Sequence, residues 1–233
     1  MCGRYILAQQ AKLERAMRLG RIRWEFTVRY NIAPSQPVPV VRAIDGVREG
    51  LMMRWGLIPF FNRGVPPKNS TINATVEKLE TAPAWRGPWR RGQRCIQVAG
   101  GFYEWHLTEA GRKQPYFIRL TDQEVFGFAS LWDRSIAEDG AAIDSCTIIT
   151  LPGNELMRTV HNAGTRPGRM PAILAADDIG AWLEGTPQEA HAALKPYPSE
   201  LMVAHPVGLR VNSPANDGPE LIAPIRDQPT AHG

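Results

Sequence analysis

The chain has 233 residues, 43% of them hydrophobic and 21% charged, which provides for a sizeable core and excludes disordered and fibrous classes. No run reaches the length of a membrane span, residues 1–15 lack the apolar centre of a secretory signal, and Cys2, Cys95 and Cys146 show no CxxC spacing. Membrane, disulfide-stapled and zinc-site classes are thereby excluded in favour of a reducing cytoplasm.

The net charge of +4 hides an asymmetry, with 17 Lys+Arg against 6 Asp+Glu in residues 1–100 and 10 against 17 in residues 101–233. A basic first half points to a polyanion, and nucleic acid comes ahead of membranes because no amphipathic basic helix accompanies the charge.

The chain opens Met1-Cys2-Gly3-Arg4-Tyr5. Loss of Met1 leaves Cys2 with a free α-amine beside its thiol, a 1,2-aminothiol that no internal cysteine offers. The amine, with a pKa near ~7.7–8.0, is partly unprotonated at neutral pH. An aldehyde forms an imine with that amine, and the sulfur then closes a thiazolidine ring. The competing reading is an idle cysteine in a disordered start.

Residues 8–19 place Leu13, Ala16 and Met17 at helical spacing and stop at Gly20. Prolines 34, 37 and 39 predict an extended edge segment over 37–41. A strand over 51–59 turns at Gly56 into Phe60 and Phe61, which are either core anchors or, beside Arg54 and Arg63, a stacking platform for unpaired bases. Residues 71–81 begin extended, with Asn73 either a turn residue or an amide that both donates and accepts. Residues 85–94 interleave Trp85 and Trp89 with four arginines, which fits single-strand binding and equally a surface loop with buried Trp anchors.

A strand over 95–105 breaks at Gly100-Gly101, which suggests a bulge or close backbone approach that re-aims Glu104. In an apolar setting Glu104 shuttles protons near neutrality; otherwise it pairs with an arginine. Residues 115–120 and 125–132 read as two paired strands, and 144–151 as another ended by Pro152-Gly153. A short helix over 154–160 delivers His161 to a basic Gly/Pro loop. A helix over 176–184, a Thr186–Glu189 capping box opening a second helix, and a strand over 201–207 complete the pattern. Short strands, few helices and no βαβ alternation predict an α+β fold, one domain over 1–222 of mainly antiparallel sheet with short flanking helices, then a flexible tail over 223–233.

These stretches together resemble the SRAP family, abasic-site processing proteins that crosslink to DNA. The resemblance rests on Met1 to Tyr5, Asn31-Ile32-Ala33-Pro34, Arg54 to Pro59, Asn73-Ala74, Arg94-Cys95, Gly101 to Trp105, His161, Arg169-Met170-Pro171 and Val211-Asn212, in family order over about residues 1–217. It implies that Cys2 captures the ring-opened aldehyde of an abasic site in single-stranded DNA as a thiazolidine. It further implies that Asn73 holds the sugar, that Glu104 assists proton transfer and orients the amine, and that His161 serves ring opening and reversal or lyase chemistry. Arg4, Thr150 and Arg169 match phosphate or backbone contacts, and Phe60 and Phe61 stand where an aromatic stacks on DNA.

Two positions depart from the family pattern. Thr75 stands where an arginine is common, and an inserted Gly/Pro loop separates His161 from Arg169. The expected protein works as a monomer in the cytoplasm on nucleoid DNA, with no metal, cofactor or membrane partner. Its rival readings are a thiol-dependent peptidase, including self-cleavage after Met1, and a non-covalent single-strand binder.

Overall fold

Apolar residues in this chain alternate or run in short β-branched blocks, and such segments pair into sheets rather than wind into helices. The structure is a computed structural model that describes residues 2–7 and 9–225. In order, the elements are β1 (Arg4–Leu7), α1 (Gln10–Met17), β2 (Arg21–Arg23), β3 (Arg29–Ile32), β4 (Pro37–Ile44), β5 (Val47–Trp55), β6 (Asn73–Thr75), α2 (Pro83–Arg90), β7 (Arg94–Ala99), β8 (Gly101–Leu107), β9 (Lys113–Leu120) and β10 (Phe126–Ile136). They continue with β11 (Ala142–Pro152), α3 (Glu155–Val160), β12 (Arg169–Pro171), β13 (Ile173–Leu174), α4 (Asp178–Glu184), α5 (Pro187–Ala192) and β14 (Met202–Pro206).

One sheet runs β12-β11-β10-β7-β4-β5-β2 and a second runs β14-β9-β8-β1-β3. In the first, β11 also pairs in parallel with β5 through Ser145↔Arg54 and Cys146↔Trp55. Strands β11, β10, β7, β4 and β5 therefore close into a barrel, which removes their free edges. Among the described residues parallel pairing is confined to β2–β5, β5–β11 and β6–β11, so the α+β, mainly antiparallel expectation holds. No helix among the described residues is long and apolar enough to cross a membrane.

The second sheet lies on the barrel through β1. Tyr5 is fully buried, its ring meeting Trp55 at 5.2 Å and Phe128 at 5.9 Å edge to face, and its hydroxyl accepts from Gln97 Nε2 at 3.1 Å. Gly100-Gly101 is the corner at which the chain leaves the barrel in β7 and enters the second sheet in β8. A Cβ on Gly101 would sit 2.4 Å from the Phe117 ring, so only glycine allows this approach.

Three expectations are corrected. Residues 115–120 and 125–132 form strands but not with each other, because β9 lies between β8 and β14 while β10 lies between β7 and β11. The short connection between them crosses from one sheet to the other. The segment over 37–41 is interior, since β4 pairs with β5 along its length and with β7 at Val40 and Val41. Its prolines are tolerated because the ladder to β7 begins only beyond them. Residues 85–90 are helical, started by Pro83 at the first helical position, with Trp89 buried near Trp182 and Arg86 and Arg90 exposed.

Of the expected tail, residues 226–233 lie outside the described residues, as does Met1. Within it, Pro224 bridges Val207 and the Ile225 N–H donates to Pro206 O at 3.0 Å.

Candidate active site

Cys2 precedes β1 and is fully buried. Its thiol faces the Arg4 carbonyl at 3.8 Å, and burial, reinforced by the nearby Glu104 carboxylate, raises the thiol well above its ordinary range. Asn73 comes from β6, which lies parallel to β11 with Ile148 opposite Asn73 and Thr150 opposite Thr75. The Asn73 amide Nδ2 donates to the Cys2 carbonyl at 2.9 Å, while its Oδ1 is buried with no partner among the described residues.

Glu104 follows Tyr103, which pairs with Arg4, so β8 carries the glutamate alongside the residues that lead into β1. It is buried, and that burial pushes its carboxyl up to about 7. Glu104 and His161 line one cleft of about 340 Å³, together with Trp105, Lys113, Ala163 and Gly164.

His161 caps the C-terminus of α3, a helix opened by Asn154, whose side chain accepts from the Met157 N–H. Its Nδ1 accepts from the Arg169 backbone N–H at 3.2 Å, which leaves the proton of the neutral ring on Nε2. Burial, with help from the Arg169 charge, lowers His161 to about 4, so the ring is neutral at physiological pH. The inserted loop does not separate the two residues, because its ends are tied together. Gly168 N–H donates to His161 O at 2.6 Å, Gly153 N–H donates to Gly168 O at 2.7 Å, and the Asn162 side chain clasps both backbone groups of Leu107 at 2.7 and 2.9 Å.

Arg4, Thr150 and Arg169 surround this centre and are engaged by the protein. Arg4 donates to Val211 O at 2.8 Å and to Asn31 Oδ1 at 3.1 Å, and Asn31 itself donates to the carbonyls of Ser213 and Asn216 at 2.9 and 2.8 Å. The motif residues Arg4 and Asn31 thus fasten the C-terminal segment under the site. Thr150 donates to Ala74 O at 3.3 Å and is fully buried. Arg169 makes a forked pair with Glu77 at 2.6 and 3.0 Å and donates to Thr150 O at 2.6 Å.

Phe60 and Phe61 lie apart from the cleft, on a single 3-10 turn over β10 where the Phe60 N–H donates to Asp133 at 3.0 Å. They are 56% and 51% exposed, with Arg91 5.3 Å over the Phe60 ring. Burying one phenylalanine contributes roughly 1.5–3 kcal/mol, a gain these two half-exposed rings largely forgo, so they are not core anchors.

Two residues of the site escaped the sequence reading. Lys113 reaches the cleft through its pairing with Leu107 at the β8–β9 end, and Glu77 reaches Arg169 across 92 positions. Neither lies in a motif, and register was their only signal. Thr75 is buried in β6 with its hydroxyl unpartnered among the described residues, and Lys113 lines the cleft. No group of three or more metal-ligating side chains is placed to hold an ion among the described residues.

Fold and geometry together set a buried cysteine near the start of the chain, held by Asn73, beside a cleft shared by Glu104 and His161 on a closed β-barrel. The chain belongs to the SRAP family: the profile of the SOS response associated peptidase (SRAP) family matches residues 1–214. It is 35% identical over 233 aligned residues to the abasic site processing protein YoqW of Bacillus subtilis (strain 168), covering 95% of this chain and 99% of that one. It is 32% identical over 228 residues to the abasic site processing protein HMCES of Gallus gallus, covering 84% of this chain and 66% of that protein. The crystal structure of a protein from Bacteroides thetaiotaomicron superposes with a TM-score of 0.84 at 26% identity, covering 97% of this chain and all of that one.

Proposed function

We propose that this protein captures abasic sites in single-stranded DNA covalently through Cys2, once Met1 has been removed. The observation that carries the reading is the Asn73 hydrogen bond to the Cys2 carbonyl beside the cleft that Glu104 and His161 share. The abasic-site processing relatives support the same substrate.

The chemistry follows from the site's protonation. A buried thiol with a raised pKa is a poor thiolate, so the α-amine attacks the aldehyde first. Amine adds to the carbonyl carbon, and Glu104, titrating near 7, takes the ammonium proton and returns it to the departing hydroxyl. Water leaves and an imine forms. The thiol then adds across the C=N bond, its sulfur bonding to carbon and its proton passing to nitrogen. No oxidant or metal is needed, and one water is the only by-product.

Neutral His161 donates from Nε2 toward the sugar oxygen during ring opening, and the same pair of groups serves the reverse reaction. The basic first half attracts phosphates, and the exposed Phe60–Phe61 pair receives an unstacked base.

Intact-mass measurement after incubation with a single-stranded oligonucleotide holding one abasic site tests the reading. A heat-stable adduct of protein plus oligonucleotide minus one water is expected, and it is lost in Cys2→Ala. Equal, purely non-covalent binding by both proteins would overturn it, and peptide cleavage without DNA would favour a peptidase.

A further inference from the structure

The barrel carries a second concave site that the capture chemistry does not use. Its floor is an ion pair between neighbouring strands, Arg42 Nε to Glu49 Oε1 at 2.7 Å, with both side chains buried. The other Glu49 oxygen faces two arginines from β2, Arg21 Nη1 at 3.5 Å and Arg23 Nε at 3.8 Å. On the opposite wall, Arg42 lies 4.6 Å over the Trp132 ring, and Arg134 is held in a fork by Asp144 at 2.6 and 2.7 Å.

Four guanidinium groups thus meet two carboxylates around a cleft of about 400 Å³. The excess charge sits on Arg21 and Arg23, whose side chains are 48% and 60% exposed. Glu49 orients them without neutralising both. An aromatic wall with a buried cation above it and exposed cations at its rim suits a single-stranded backbone with one base against the wall.

The cleft is separate from Cys2. Glu49 precedes Trp55 by six positions on β5, or about 20 Å at ~3.3 Å per residue, and the Trp55 indole donates to Ile72 O next to Asn73. We infer that Arg21, Arg23, Arg42 and Trp132 form an accessory site for the phosphodiester backbone of single-stranded DNA running beyond the reactive cleft. Even at the ~3.4 Å per phosphate of one duplex strand, a strand needs about six nucleotides to span the distance.

The test needs no adduct, so it fails or succeeds independently of the covalent reading. Affinity for an undamaged 20-nucleotide single strand is measured by fluorescence anisotropy over a range of salt, with circular dichroism confirming that each variant is folded. Arg21→Gln/Arg23→Gln is expected to lose at least tenfold in affinity and to lower the slope of log K against log salt by about 1–2. Arg15→Gln/Arg112→Gln, which removes the same charge from exposed positions elsewhere, is expected to lose less than twofold. For a 5-nucleotide strand, too short to span both sites, the loss in Arg21→Gln/Arg23→Gln should be smaller than for the 20-mer. Equal losses in both double variants, or an unchanged slope, would overturn the site. Displacement of the 20-mer by low-millimolar inorganic phosphate would also overturn it, by making this a small-anion pocket.

Discussion

The Asn73 side chain donates to the Cys2 carbonyl over 2.9 Å, joining residues 71 positions apart at a point where both are buried. This bond fixes the backbone of the residue whose amine and thiol the proposed reaction uses. Truncation leaves a buried carbonyl unpaired, which costs about 1–3 kcal/mol. Asn73→Ala should therefore slow adduct formation at least tenfold while the protein still folds, with a lower melting temperature. Asn73→Asp keeps the size and an acceptor but loses the donor, and should be equally slow. Stopped-time gel quantification of the adduct measures both rates; a wild-type rate in either variant would remove Asn73 from the mechanism.

Burial moves two neighbouring groups in opposite directions, Glu104 from 4.5 up to about 7 and His161 from 6.5 down to about 4. Between about 4.5 and 7 the folded protein keeps a proton that Glu104 has released in the unfolded chain, so this group lowers stability as pH rises. Between about 4 and 6.5 the unfolded chain takes up a proton that folded His161 refuses, so this group lowers stability as pH falls. The two slopes oppose each other from about 4.5 to 6.5. Urea unfolding across that window should show stability rising with pH in Glu104→Gln and falling with pH in His161→Asn, each by up to ~1.4 kcal/mol per pH unit. Parallel profiles in the two variants would show that these groups do not titrate as described.

What could be read in the sequence follows from how chemistry is encoded. Residue type and neighbouring turns left Cys2, Asn73, Glu104 and His161 each open to a purely structural role, and only their order within the SRAP-like pattern singled them out; the structure brings them together because β6, β8 and α3 converge on the start of β1. Glu77 and Lys113 were silent, since an exposed acid in a 3-10 turn and a lysine at a strand end carry no local mark. Barrel closure was equally silent, because Cys146↔Trp55 is a parallel pair between residues far apart in the chain. The β9–β10 pairing failed for a related reason. Five residues suit a hairpin, but Leu120 and Phe126 each bury into the shared core from different sheets.

Phe60 and Phe61 pack edge to face at 5.4 Å and remain about half exposed, so their removal should leave the fold intact. Base–aromatic stacking is worth about 1–3 kcal/mol per base. Phe60→Ala and Phe61→Ala should each weaken single-strand binding roughly five- to hundredfold, without altering the adduct rate at saturating DNA. Anisotropy titrations and single-turnover adduct formation separate the two effects. If both constants stay at wild-type values, the rings are not a platform.

Glu77 acts on the site through Arg169. Its carboxylate takes both terminal nitrogens of the Arg169 fork, which fixes the strand whose backbone N–H holds His161 Nδ1. Arg169 also lies close enough to help hold the His161 pKa down, and Glu77 partly neutralises it. Glu77→Gln removes that compensation, so the bare guanidinium should lower the His161 pKa further and loosen the tautomer lock. The Glu77 side chain is half exposed, which keeps the loss of stability to about 1 kcal/mol. Removing a negative charge will not weaken attraction to DNA. The expected signature is therefore a slower adduct rate, an unweakened affinity for undamaged single strands and a downward shift of the His161 titration followed by NMR. Glu77→Asp should recover part of the rate, because a shorter carboxylate still meets one arm of the fork. Weakened DNA binding with an unmoved His161 titration would instead make Glu77 a structural residue with no bearing on His161.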